Sequence, residues 1–129
     1  MRKFKLTLQG EEFYADLYEK EAPNIIAALE KVTPFKSKVI WAKVCENEIY
    51  FPTPAFAPEV ENMLYAVKGN IAFFRFKQSI CVWYGDTPSL GFSATFAKLK
   101  EEDIPRFAEA ASRVYDDNGC IIEVDFAEQ

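Results

Sequence analysis

Apolar residues recur at every second position along most of this chain, and that period belongs to half-buried β-strands. The stretch KFKLTLQ (Lys3–Gln9) sets Phe4, Leu6 and Leu8 on one face. EFYADLY (Glu12–Tyr18) does the same with Phe13, Ala15 and Leu17, and Gly10–Glu11 reads as the hairpin turn between them. Strand character returns in FKSKVIWAKV (Phe35–Val44), NEIYF (Asn47–Phe51), IAFFRFKQ (Ile71–Gln78), SICVWYG (Ser79–Gly85), FSATFAKL (Phe92–Leu99) and CIIEVDF (Cys120–Phe126).

Helical spacing interrupts this pattern twice. In EAPNIIAALEKV (Glu21–Val32), Ile25, Leu29 and Val32 fall at i, i+4 and i+7, with Ile26 beside them. Pro23 stands where a first helical turn tolerates it. EEDIPRFAEAASRVY (Glu101–Tyr115) has an acidic first turn and an early Pro105, both favourable at a positive helix end. Its inner face is Ile104, Phe107, Ala108, Ala111, Val114 and Tyr115. PTPAFAP (Pro52–Pro58) cannot be a central strand, because its prolines lack ladder donors. Val60–Asn70 reads as irregular chain with a short strand near Leu64–Val67.

The 129 residues amount to a single domain, 1–129, and half of them are apolar, enough for one core without staples. The expected architecture is mainly β: a closed antiparallel β-barrel with two capping α-helices, which would hide the strand edges.

Composition removes several functions. The net charge is −5 with a pI near 4.8, and no basic stripe exists to neutralise phosphates. The expectation is no nucleic acid and no membrane as partner. The start, MRKFKLTLQG, alternates rather than forming a signal-peptide core, so the chain reads as cytoplasmic. Cys45, Cys81 and Cys120 form no CxxC and read as buried thiols. Histidine is absent. That excludes the usual Ser-His-Asp and Cys-His nucleophiles and histidine-held zinc or iron. No metal and no cofactor is expected, and any acid–base chemistry falls to Asp, Glu, Tyr, Lys or Cys.

Six residues form the candidate pocket: Trp41, Glu46, Glu48, Tyr50, Arg75 and Trp83. Glu46, Glu48 and Tyr50 share one strand face by period two. They read either as a polar pocket wall with a carboxylate base, or as the solvated side of an antiparallel strand. Arg75 alternates onto the face of Ile71 and Phe73, which look core-facing; it is an anion anchor or a snorkelling side chain. Trp41, Trp83 and Tyr84 line an apolar cleft or simply pack. Asp86–Thr87–Pro88 is explained by turn chemistry. Phe56, in its proline-rich loop, marks an oligomer interface if exposed, or a loop folded over the barrel end.

Two stretches carry a family resemblance. YADLYEKEAPNIIAALEKV resembles the second strand and first helix of cyclophilins, and SATFAKLKEEDIPRFAEAASRV with GCIIEVDF resembles the strand, helix and final strand that close the cyclophilin barrel. FKSKVIWAKVCENEIYFPTP and GNIAFFRFKQSICVWYGDTP are similar to small bacterial cyclophilin-like proteins of unknown function. The resemblance implies the cyclophilin-like barrel over nearly the whole chain. It also implies an accessory role in amino-acid or amide catabolism, with a small molecule or a partner protein bound. The isomerase motif is missing. Where prolyl isomerases carry an Arg and a Phe-Met-x-Gln-Gly-Gly run, this chain reads IWAKVCENEIYF, and Lys43 does not reproduce a guanidinium fork. No catalytic residue is carried over, and the fold alone does not supply the activity. The competing readings are a carboxylate-dependent enzyme acting on a small anionic or amide substrate, and a peptidyl-prolyl isomerase with residual activity.

Overall fold

A computed structural model describes residues 1–42, 47–86, 91–117 and 119–129. Its first hairpin pairs β1 (Arg2–Leu8) with β2 (Glu11–Leu17). The two-residue loop is Gln9–Gly10, one position earlier than the sequence suggests. Both residues have positive φ, 53° and 79°, which gives a turn whose twist matches that of the strands. The alternation is realised as read. Leu6 stands opposite Phe13 on β2 and Val124 on β10 (Ile121–Glu128), and all three are buried.

α1 (Pro23–Glu30) packs Ile25, Ile26 and Leu29 into the core. Its own N-cap, Ala22, offers no side-chain acceptor. Glu61 supplies one from a distant segment, accepting the Asn24 and Ile25 backbone N–H groups at 2.9–3.2 Å. α2 (Ile104–Ser112) follows a 3-10 turn over Glu101–Asp103 and buries Ile104, Phe107, Ala110 and Ala111. It ends before Val114 and Tyr115. Val114 stays in the core, but Tyr115 is exposed rather than on an inner face.

Of the expected long strand over 35–44, the described residues form two short ones, β3 (Phe35–Lys38) and β4 (Ile40–Trp41), flanking the buried Val39; residues 43–44 lie outside the described residues. β5 (Glu48–Pro52), β6 (Met63–Tyr65), β7 (Asn70–Phe74), β8 (Ser79–Trp83) and β9 (Phe92–Leu99) complete the sheet. β7 stops at Phe74. Arg75–Gln78 form the turn to β8, so Arg75 does not lie on the Ile71–Phe73 face.

All pairings are antiparallel, in the order β3-β10-β1-β2-β9-β7-β8-β5-β4, with β6 also on β9. Among the described residues this order has two ends, β3 and β4, and no strand pairing joins them into a closed barrel. The Ser37 hydroxyl on β3 does reach β5, the strand next to β4, and donates to the Pro52 carbonyl at 2.5 Å. One core lies within the sheet, from Phe4, Phe13, Ile49, Phe51, Phe96 and Phe107 among others. Each such side chain contributes roughly 1.5–3 kcal/mol by leaving water.

The proline-rich segment after β5 runs extended. Thr53, Ala55 and Ala57 are buried, while Pro54, Phe56 and Pro58 point outward. Small residues of this segment seal the core while Phe56 stays outside. No helix among the described residues is long and apolar enough to cross a membrane.

Candidate functional site

β5 and β8 bring the site together. Their register sets Glu48 opposite Trp83 and Tyr50 opposite Cys81, on the face away from the main core. The chain after β6 folds over this face. Ala66 packs there with Ala72, Cys81 and Trp83, and Tyr50 lies against them. A strand face with the polar pattern of a solvated surface is therefore covered, and Glu48 is only 7% exposed. Its carboxylate has no hydrogen bond or ion pair among the described residues. Across from it the Trp83 indole, 6% exposed, has a buried Nε1 with no acceptor. A buried donor without a partner is costly. It lies on the strand beside Glu48, whose carboxylate has no ion pair among the described residues.

Beyond Trp83 the chain turns Tyr84 inward, against Phe107 of α2. Trp41 donates its indole N–H to the Tyr84 oxygen, since indole can only donate. The Trp41 ring meets Tyr115 edge-on at 5.0 Å. Burial pushes the Tyr84 phenol above the ordinary tyrosine range; the Glu48 charge adds to this and the Trp41 hydrogen bond works against it. The folded chain thus keeps this proton to higher pH than the unfolded chain. The resulting stability is complete below about pH 10, the ordinary tyrosine value, and is lost as pH rises through the higher folded value. Tyr84→Phe is expected to flatten the alkaline fall, measured by urea unfolding on both sides of that value.

Gly85 allows the close packing that holds this end. A Cβ there would meet the Asn47 side chain at 2.7 Å. Asn47 in turn accepts the Tyr84 N–H at 2.9 Å and donates to the Asp86 carbonyl at 3.3 Å. Ala66, which packs with Trp83, also borders a hollow of about 580 Å³ that neither Trp83 nor Glu48 lines. Lys68, Lys98, Asp86 and Glu101 line it, and Lys68 faces Asp86 at 4.0 Å. Its size falls in the range of small-molecule sites.

Of the six residues singled out in the sequence, Glu48, Tyr50 and Trp83 share this face, and Trp41 stands behind it through Tyr84. Glu46 lies outside the described residues, as do Lys43, Cys45, Thr87 and Pro88. Arg75 is elsewhere. It sits past the far end of β8, four residues from Trp83 along the strand to Ser79, or roughly 13 Å at strand rise. There Arg75 Nη1 donates to the Pro58 carbonyl at 2.9 Å, and the guanidinium lies over Phe76 at 4.8 Å. It cannot hold a substrate anion against Glu48. Lys68 and Lys98 were not legible as site residues. Each sits in a pattern that an ordinary wet surface would also show.

Residues 2–100 match the family described as Cyclophilin-like. The chain belongs to that family. Its Cyclophilin-like fold is shared with two solved structures. One is the solution structure of the hypothetical protein AF2241 from Archaeoglobus fulgidus, 22% identical, with a TM-score of 0.69 over 97% of this chain and 93% of that one. The other is McbB, solved in complex with tryptophan, 18% identical, with a TM-score of 0.76 over 96% of this chain. This Cyclophilin-like chain spans 44% of the length of McbB. A comparison with the curated proteins found no match. Among the described residues, no group of three or more Cys, Asp or Glu is placed to hold a metal ion.

Proposed function

We propose that this Cyclophilin-like protein binds a small amino-acid or amide molecule that sits in this hollow and reaches past Ala66 to the Glu48–Trp83 face, serving amino-acid or amide catabolism. The observation that carries this reading is Trp83 Nε1, buried with no acceptor, opposite a Glu48 that has no ion pair among the described residues. An amide or ammonium N–H satisfies the carboxylate, and a carbonyl oxygen satisfies the indole. A free carboxylate on the ligand would meet Lys68 and Lys98. McbB, which shares this fold over 44% of its length, was solved in complex with tryptophan, and from it we take an amino acid as the first ligand class to test.

The test is a thermal-shift screen of amino acids and primary amides. Ligand at a hundredfold its dissociation constant stabilises by about 2.7 kcal/mol, a rise of several degrees. A flat response across the whole set overturns the reading. Prolyl isomerisation is not part of it, because the isomerase residues are not in this chain. A proline-peptide assay should relax at the uncatalysed rate, over tens to hundreds of seconds.

A second reading rests on the same carboxylate. Buried without an ion pair among the described residues, Glu48 is poised to take a proton from a bound amide or amino acid. NMR of the recovered ligand separates binding from turnover: an unchanged ligand removes the enzymatic reading.

A further inference from the structure

Three phenylalanines from separate segments stand in the open. Phe56 on the proline-rich segment, Phe76 in the β7–β8 turn and Phe92 at the start of β9 are 77%, 79% and 65% exposed. They are not scattered. Phe74 meets Phe76 edge-on at 5.9 Å, and Tyr65 meets Phe92 at 5.8 Å. Two hollows of about 290 and 160 Å³ share Phe73, Arg75 and Phe76 as a common ridge. Phe56 borders the first, and Phe92 with Val60 and Met63 borders the second.

We propose that this face is the contact between two copies of this chain. Area is the first argument. At roughly 150–250 Å² per aromatic side chain, the five partly exposed rings offer on the order of 600 Å². With Val60 and Met63 added, the patch approaches the ~800 Å² that each partner gives to a standard interface. It also lies at the upper end of what a monomer ordinarily exposes.

Shape is the second. A two-fold contact uses the same patch twice, so that patch must carry both the projections and the recesses. This one does: Phe56 and Phe76 project, and the hollows lie on either side of Arg75. Charge is the third. Arg75 is fixed in place by the Pro58 carbonyl and the Phe76 ring. Glu59 lines the second hollow and has no ion pair among the described residues. One cation and one carboxylate on the same patch complement each other across a two-fold axis, with Arg75 meeting the partner's Glu59. The rest of the chain is acidic, with a net charge of −5, so like surfaces repel elsewhere.

Sedimentation of the full chain tests this. At roughly 100 µM, well above the micromolar affinity of the weaker interfaces of this size, the mass should be twice 14.8 kDa. The double substitution Phe56→Ser with Phe76→Ser should sediment as a monomer with unchanged circular dichroism, since both side chains are exposed. Arg75→Glu should weaken the dimer at least tenfold, and adding Glu59→Arg should restore it. A wild-type monomer of 14.8 kDa at that concentration overturns the proposal and leaves the face to a different protein. A dimer that survives the double serine substitution overturns it as well.

Discussion

Glu48→Gln removes the ligand-induced rise in melting temperature and leaves the empty protein no less stable than its parent. The carboxylate is buried on β5 and has no hydrogen bond or ion pair among the described residues, so the substitution breaks no internal contact there. Glutamine keeps the shape and takes away a charge that the fold does not pair. Bound ligand responds differently. A hydrogen bond to a charged group contributes about 1.5–3 kcal/mol, so affinity should fall by roughly tenfold to somewhat over a hundredfold. Calorimetric titration with the best ligand of the screen gives the affinity, and urea unfolding without ligand gives the stability. Equal affinity for parent and variant would remove Glu48 from the site. A large loss of unfolding free energy would make it a structural residue instead.

Phe107→Ala is expected to cost about 3–5 kcal/mol of unfolding free energy, the range for deleting a buried ring. Phe107 is fully buried where α2 meets the sheet. Its ring contacts Phe13 edge-on at 4.9 Å and Tyr84 at 6.3 Å. The hole left behind is therefore walled by the sheet on one side and by the aromatic cluster of the site on the other. Against a total stability of about 5–15 kcal/mol this is a large share, and the melting temperature should fall by on the order of 10–20 °C. Urea unfolding monitored by tryptophan fluorescence reads both the loss and the loosening around Trp41. A change under about 1 kcal/mol would mean that α2 is not held by this ring.

The strand alternation placed Phe4, Leu6, Leu8, Phe13 and Ala15 in the core correctly, because each strand's faces are a local property of the backbone. The two helices were legible for the same reason: their apolar stripes are written at i, i+4 and i+7. Even the cap on α1 was hidden, though, since Glu61 arrives from 36 residues further along the chain. Arg75 shows a different failure. Its neighbours continue the alternation, so nothing local marks the point where β7 ends and the turn begins.

The stretch NEIYF holds the same division in five residues. Its sequence alone determined that Glu48 and Tyr50 share one face and that Ile49 and Phe51 share the other. With the absence of histidine, it also made Glu48 one of the few bases this chain could use. What covers the Glu48 face was decided only by tertiary structure. Ala66, after β6, and Trp83, on the strand beside, bury a side that looks wet on paper. The same holds for the order of the strands, in which Ser37 on the end strand β3 meets Pro52 on β5 by a side-chain hydrogen bond rather than by a ladder. Alternation records which residues look the same way. It carries no record of what they look at, because that neighbour comes from elsewhere in the chain.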